Sequence, residues 1–370
     1  MNILIYFPYH LRSVEQQSVM EMLVRQGHKV HLLTTCPAGP LHRYVEGFGV
    51  MTHAAGELPA GRVQYYRSGL KKLRSVVDEF SIDLVIAHQQ ETALIAGLLR
   101  KTRKFKLAYV RHNSGEDYQL NPRKARWLNR IVNWLTPVKI APSGVVQRFW
   151  TEKENVPVRQ IIRINYGYNF NQYEKPREEE VRRIKEAYPT GFRLLSMARL
   201  VPAKRHAVLF SVVRQLVEAG IDCKLLCLGS GPLEEELNGK IKELGLQKHV
   251  FLLGRKENVF DYIASCDVFV HLSSTEASNS AVKEVGLCRK PVIVCHGVGD
   301  FEDYIEHGSN GFLVDREAPA AETLQLLKQL ASGEIDREKT GEALYRTIHE
   351  TFDIEKVAPR YTELLEAINH

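Results

Sequence analysis

Short apolar runs recur along the chain, with amphipathic stretches between them. In the first half the runs fall at residues 3–7, 30–34, 84–88, 107–111, 139–141 and 161–165. Residues 14–26, between the first two, carry apolar side chains at 14, 19, 20, 22, 23 and 24 and meet Gly27, which predicts a helix with a glycine stop. Strand runs rich in Val, Ile and Leu that alternate with helices mean parallel βαβ units. The grammar breaks at residues 169–183, a polar and charged stretch that reads as a linker entering a surface helix. It restarts with apolar runs at 192–197, 224–228, 250–253, 268–272, 291–295 and 311–314. The pattern predicts an α/β protein of two Rossmann-like, doubly wound parallel-sheet domains: residues 1–168, joined by a closing segment at 353–370, and residues 169–352. Residues 352–368 read as an amphipathic helix that packs back on the first domain.

Length agrees, since 370 residues exceed one ordinary core. No apolar run reaches the roughly 18 residues of a membrane span. The start, residues 1–8, lacks a basic segment and a small-residue cleavage site, and reads as a first strand rather than a signal peptide. The six cysteines form no CxxC pair, so reduced, buried thiols in a cytosolic protein are expected, without structural zinc. The net charge of +6 is uneven. Cations gather at Arg62, Arg67, Lys71, Lys72 and Arg74, then at Lys101, Arg103, Lys104 and Lys106. A third group, Arg123, Lys124, Arg126 and Arg130, is interleaved with Trp127 and Trp134. An anionic substrate or an anionic membrane surface suits such a half. Residues 122–135 form a basic amphipathic helix. Its Leu128, Ile131, Val132 and Leu135 fit packing into the first domain, the commoner role of such a stripe, and the whole helix also fits a membrane surface.

Candidate chemistry gathers after strand runs of the second half. Arg199 and Lys204 follow residues 193–197; two cations at a strand end suit a diphosphate, and a solvated loop pair fits them equally. Gly229 and Gly231, in Gly-Ser-Gly-Pro, allow close backbone approach to a ligand or simply a tight turn. Ser278, Asn279 and Ser280 offer a helix cap, and the amides that follow can face an anion. Glu276 closes an apolar run, and Glu284, eight residues on, falls inside the helix. A carboxylate in such a setting pairs with a buried cation or accepts from ligand hydroxyls, although most helix glutamates are solvated. His112 ends the run at 107–111, and His88 ends the run before it; a buried structural histidine is the commoner outcome for either alone.

Taken together, Arg199 and Lys204, the Gly229–Pro232 turn and Glu276-x7-Glu284 resemble the family 4 glycosyltransferases, retaining enzymes of the GT-B fold. The resemblance runs from about residue 192 to 315, through Gly286, residues 291–294, Val298-Gly299 and Asn310-Gly311. It is looser in the first domain, at Gly27-His28 and His112, and the end segment looks like the family's crossing helix. It implies two domains facing across a cleft, and a sugar moved from a nucleoside diphosphate sugar (UDP-sugar favoured over GDP-sugar) to a glycan or lipid-linked acceptor, as in cell-surface polysaccharide assembly. By resemblance, Arg199 and Lys204 neutralise the donor diphosphate, Glu284 holds the ribose and Glu276 meets the donor sugar. Ser278 and the amides of Asn279, Ser280 and Ala281 hold sugar and β-phosphate, with Gly229 and Gly231 close by. Arg255 and Lys256 border the base, and His112 touches the sugar. No metal, no cofactor beyond the donor and no nucleic-acid partner is implied, and the expected location is cytoplasmic, either free or peripheral at the inner membrane face. The chain departs from the family where a Gly-Gly loop is replaced by residues 9–13, so Arg12 or Ser13 stands in for it. It departs again at Ala277-Ser-Asn, where the donor preference is expected to be written. A non-transferring GT-B protein, epimerase-like or merely nucleotide-sugar-binding, is the alternative.

Overall fold

The computed structural model describes residues 1–56, 61–113, 115, 118 and 121–369. The chain divides into two compact units, Met1–Gln172 with Phe352–His370, and Tyr173–Thr351.

The first unit is built on a seven-stranded parallel sheet in the order β3-β2-β1-β4-β5-β6-β7. Its strands are β1 (Asn2–Phe7), β2 (Lys29–Thr34), β3 (Met51–Ala54), β4 (Leu84–His88), β5 (Lys106–Val110), β6 (Val138–Ala141) and β7 (Ile161–Arg163). β1 pairs in parallel with β2, Ile3 opposite Val30, and with β4, Ile3 opposite Leu84. The chain grows outward from β1 in one direction and then restarts from β4 in the other. The carboxyl ends of β1 and β4 therefore border the crevice where open α/β sheets bind ligands. The predicted helix is Val14–Arg25. β3 escaped the sequence pattern. It is a four-residue edge strand, Met-Thr-His-Ala, exposed or half-buried throughout, so it carries no apolar run.

The closing segment differs from the single helix expected. Phe352 ends the helix Arg337–Phe352, and a separate helix, Ile354–Asn369, begins two residues later. Between them Asp353 bridges Tyr168: the Tyr168 N–H donates to the Phe352 carbonyl at 2.8 Å, and the Ile354 N–H donates to the Tyr168 carbonyl at 3.0 Å. A pattern of apolar spacing cannot see such a break, because both helices keep the period. Ile354, Val357, Tyr361, Leu364 and Leu365 enter the core of the first unit beside Ile3, Met20 and Leu23.

The second unit carries a six-stranded parallel sheet in the order β10-β9-β8-β11-β12-β13. The strands are β8 (Phe192–Met197), β9 (Cys223–Leu228), β10 (Val250–Leu252), β11 (Val268–His271), β12 (Val292–Cys295) and β13 (Phe312–Val314). Here the order reverses between β8 and β11, which pair with Val268 opposite Leu194. The residues just after these two strands include Arg199, Lys204 and Glu276.

Candidate functional site

After β8, residues Pro202–Lys204 make one turn of 3-10 helix, and Arg205, with φ 53°, turns the chain into the helix His206–Glu218. This aims Lys204 back toward the end of β11. Its ammonium bonds Glu276 Oε1 and lies 3.4 Å from Ser273 Oγ. The same Oε1 lies 2.7 Å from His271 Nε2, and Asn279 Nδ2 donates to it at 3.2 Å. A carboxylate only accepts, so the His271 proton sits on Nε2. Lys204 and Glu276 are each only 13% exposed. Burial works against ionising Glu276, but the bond and charge of His271 and the charge of Lys204 outweigh it and hold the carboxyl down at about 2. His206, close by, is buried with neither ring nitrogen partnered, and burial, then His271 and Lys204, push it down to about 4.

The loop after Glu276 is fastened a second time. Ser278 Oγ donates to Asp300 Oδ2 at 2.6 Å and receives Lys283 Nζ at 3.0 Å, while Lys283 also bonds Asp300. The Lys283 and Asp300 side chains are 0% and 1% exposed, and burial lowers the lysine against the pull of Asp300. The backbone N–H of Asn279, expected to face a phosphate, donates to Asp300 Oδ1 at 3.4 Å. Asn279 caps the helix Ser280–Leu287 by accepting from the Val282 N–H at 3.1 Å. The amides of Ser280 and Ala281 belong to its first turn, where helices leave N–H groups without intrahelical partners. Glu284 is half-buried within the helix and adds, after burial, to the rise of the Cys288 thiol to about 12. Sequence reading passed over the Lys283–Asp300 pair. Its signal was a lysine between Val282 and Val285, on the inward side of a short helix.

Gly229 and Gly231 serve the neighbouring loop. A Cβ on Gly229, whose φ is +130°, would lie 2.0 Å from the Ala198 carbonyl oxygen, and one on Gly231 would lie 2.4 Å from that of Leu200. The Gly229 N–H donates to Gly254 O at 2.9 Å and Arg255 Nε to Ser230 Oγ at 3.2 Å, so this turn ties the Arg199 loop to the segment holding Arg255 and Lys256. Arg199 and Arg255 are exposed, and Lys256 is half-buried.

In the first unit, His112 is engaged at both ring nitrogens. Nε2 lies 2.8 Å from His88 Nδ1, and Nδ1 lies 2.5 Å from the Tyr166 hydroxyl, whose ring stacks on it. Burial holds His112 down at about 4, and burial, then the charge of His112, pushes His88 well below the usual histidine range, so both are neutral at pH 7. The Arg12 guanidinium stacks 3.9 Å above the Tyr44 ring, and Ser13 stands at the N-cap of Val14–Arg25 with its buried hydroxyl unpartnered. Beside them a cavity of about 860 Å³ opens at the carboxyl ends of β1, β2 and β4. Aromatic Tyr9, Tyr65 and Tyr66, with Leu128, line it, and Arg62, Lys124 and Glu91 add charge of both signs.

Two family models match the chain: Glycosyltransferase Family 4 over residues 17–172, and Glycosyl transferases group 1 over residues 177–347. The chain is 31% identical over 144 residues to the N-acetyl-alpha-D-glucosaminyl L-malate synthase of Bacillus anthracis, covering 38% of this chain and 36% of that one. It is 37% identical over 100 residues to a Campylobacter jejuni N-acetylgalactosaminyltransferase acting on N-acetylgalactosamine-N,N'-diacetylbacillosaminyl-diphospho-undecaprenol, covering 27% of each. The match thus spans only about a third of the length of these curated relatives. An uncharacterized glycosyltransferase of Methanocaldococcus jannaschii matches at 25% identity over 80% of this chain and 82% of its own. Among solved structures, Anabaena HepE in complex with UDP-glucose superposes with a TM-score of 0.82 at 19% identity, over 99% of this chain and all of that one. The doubly wound sheets and the two matched halves lead to one conclusion: the chain belongs to the GT-B glycosyltransferases of family 4 type.

Proposed function

We propose that the protein moves a sugar from a nucleoside diphosphate sugar, UDP-sugar before GDP-sugar, to a hydroxyl of a glycan or lipid-linked acceptor, with retention at the anomeric carbon and no bound metal. The observation that carries this reading is the Glu276 carboxylate, fixed by Lys204, His271 and Asn279 at the switch point of the second sheet. A carboxylate held near pKa 2 is a poor general base at neutral pH, whereas inversion needs a base to activate the incoming hydroxyl. Such a group instead supplies fixed negative charge to a sugar ring turning positive. Lys204 spends two of its three N–H donors on Glu276 and Ser273, which leaves one for a phosphate oxygen. With Arg199, it answers the charge that grows as the bond from the anomeric carbon to the diphosphate breaks. The acceptor oxygen bonds that carbon on the same face, and its proton passes to the departing diphosphate. Glu284 is assigned to the ribose, and Arg255 and Lys256 to the base. The names of the relatives agree in class: HepE was crystallised with UDP-glucose, and the C. jejuni enzyme's acceptor is carried on diphospho-undecaprenol.

The test pairs calorimetry with product analysis. Arg199→Ala raises the UDP dissociation constant by about 10-fold or more, the scale of a charge-assisted bond. Transfer from UDP-sugars to an acceptor panel gives an axial or equatorial linkage matching the donor. Equal UDP affinity in the variant refutes the diphosphate assignment, and an inverted linkage refutes the assigned role of Glu276.

A further inference from the structure

The helix Pro122–Leu135 has a second face with no task in the fold. Ala125, Asn129, Val132 and Leu135 are buried. At about 100° per residue, Arg123, Trp127, Arg130 and Trp134 fall within an arc of about 60° directly opposite that buried side, along about 16 Å of axis. They alternate cation and indole. Trp127 is 67% and Trp134 73% exposed. Lys101, from the segment after the helix Gln90–Leu99, lies with its ammonium 3.9 Å over the Trp134 ring and extends the cationic row. Among the described residues, every large apolar side chain that stands exposed lies in the first unit. Two tryptophans in water on the outermost face of a helix forgo the burial that usually places this residue. No described helix is long and apolar enough to cross a membrane.

We infer that this face docks the first unit on an anionic lipid bilayer. Tryptophan settles at the headgroup level, with its ring among acyl chains and its N–H in the wet zone. The flanking arginines and Lys101 match anionic headgroups, and one helix presenting both is the form of an interfacial anchor. An alternative reader of indole and guanidinium is single-stranded nucleic acid, but that needs a groove for the backbone, and this stripe is the convex crest of a helix. The flank of the same helix gives Lys124, Ala125 and Leu128 to the cavity at the ends of β1 and β4. Docking therefore sets that cavity beside the bilayer, within reach of an acceptor whose lipid tail stays in the membrane; this last step rests on the transfer reading, while the docking does not.

The experiment is vesicle flotation of the full chain without donor or acceptor, so its outcome is independent of the proposed reaction. Phosphatidylcholine vesicles with about a third phosphatidylglycerol are compared with phosphatidylcholine alone, a mixture whose surface potential attracts basic segments. The wild type floats with the anionic vesicles, more weakly as salt rises, and its tryptophan emission shifts to the blue. Arg123→Gln/Arg130→Gln weakens the vesicle affinity by about 30-fold, at about fivefold per lost cation. Trp127→Ala/Trp134→Ala abolishes the blue shift. Both variants keep the wild-type thermal melt, since these side chains pack on nothing in the core. Equal binding to neutral vesicles, wild-type binding by both variants, or retention on single-stranded RNA with no flotation each overturns the inference.

Discussion

Glu276→Gln keeps the shape of the side chain and removes its charge. Lys204, 13% exposed, is left without its counter-ion, and the buried His271 faces a neutral amide oxygen in place of a carboxylate. The fall of the carboxyl from 4.5 to about 2 measures what the charge contributes. At about 1.4 kcal/mol per unit, that is about 3 kcal/mol. The folded pKa is depressed, so the contribution is complete above the unfolded value of 4.5 and fades as pH falls toward 2. At pH 7 the variant should therefore melt about 6–12 °C below the wild type in the transition of the second unit. Scanning calorimetry at several pH values makes the check. The gap should be constant from pH 7 to 5 and shrink below about 4.5, where the carboxyl protonates in the unfolded wild-type chain while the folded one stays ionised. A gap below about 1 kcal/mol at pH 7, or one as wide at pH 3 as at pH 7, refutes the electrostatic account. Transfer supplies a second reading: kcat should drop by about 100-fold or more, as when one preorganised group is lost, while UDP affinity moves far less. The double variant Lys204→Met/Glu276→Gln should recover part of the lost stability, with a coupling of about 1–3 kcal/mol.

Three further outcomes follow from the same geometry. Gly229→Ala should destabilise the second unit by about 2 kcal/mol or more and weaken UDP binding, because a Cβ 2.0 Å from the Ala198 oxygen forces the Arg199 loop aside; a variant with wild-type melting and affinity contradicts this. Asp300→Ala, read by urea unfolding, should cost about 3–5 kcal/mol by stranding the buried Lys283, and Lys283→Met/Asp300→Leu should cost distinctly less; equal losses would show that the charges do not act as a pair. His112 and His206, both held down at about 4, are neutral in the fold and take up protons first in the unfolded chain. Each should then withdraw about 1.5–2 kcal/mol between pH 7 and 5, and His206→Phe should flatten its share of the slope in urea midpoints.

The alternation of apolar runs and helices was enough to give both sheets, because parallel strands buried on two faces write themselves as continuous Val, Ile and Leu. The strand with no such run, β3, was invisible for the same reason. Within the site, spacing placed Glu276 in the loop after β11 and Glu284 in the helix. It could not show that the partner of Glu276 is Lys204, 72 residues earlier, since that contact exists only once β8 and β11 lie side by side. Long-range partners of this kind leave no local signature. The lysine at 283 did leave one, as a charge on a buried helix face, and its value was missed because the counter-charge, Asp300, sits 17 residues away beyond β12. The glycines at 229 and 231 read either as ligand-facing or as a tight turn, and in the structure each lies against the backbone of a neighbouring loop.

That fastening changes what the Ala277-Ser-Asn segment can do. Ser278 Oγ already donates to Asp300 and accepts from Lys283, and Asn279 spends its carbonyl on the helix cap and its amide group on Glu276. Half-buried groups with satisfied partners give them up at a cost of about 1 kcal/mol each. They are therefore poor readers of sugar hydroxyls and good holders of a backbone. A loop tied at Glu276 by one ion pair and at Ser278 by another is ordered before any donor arrives, so binding need not meet the entropy of ordering it. In the proposed reaction, the sugar would meet a fixed carboxylate and a preset run of first-turn amides. Donor preference in such a site depends on where the Lys283–Asp300 pair holds that loop, and less on which polar side chains decorate it.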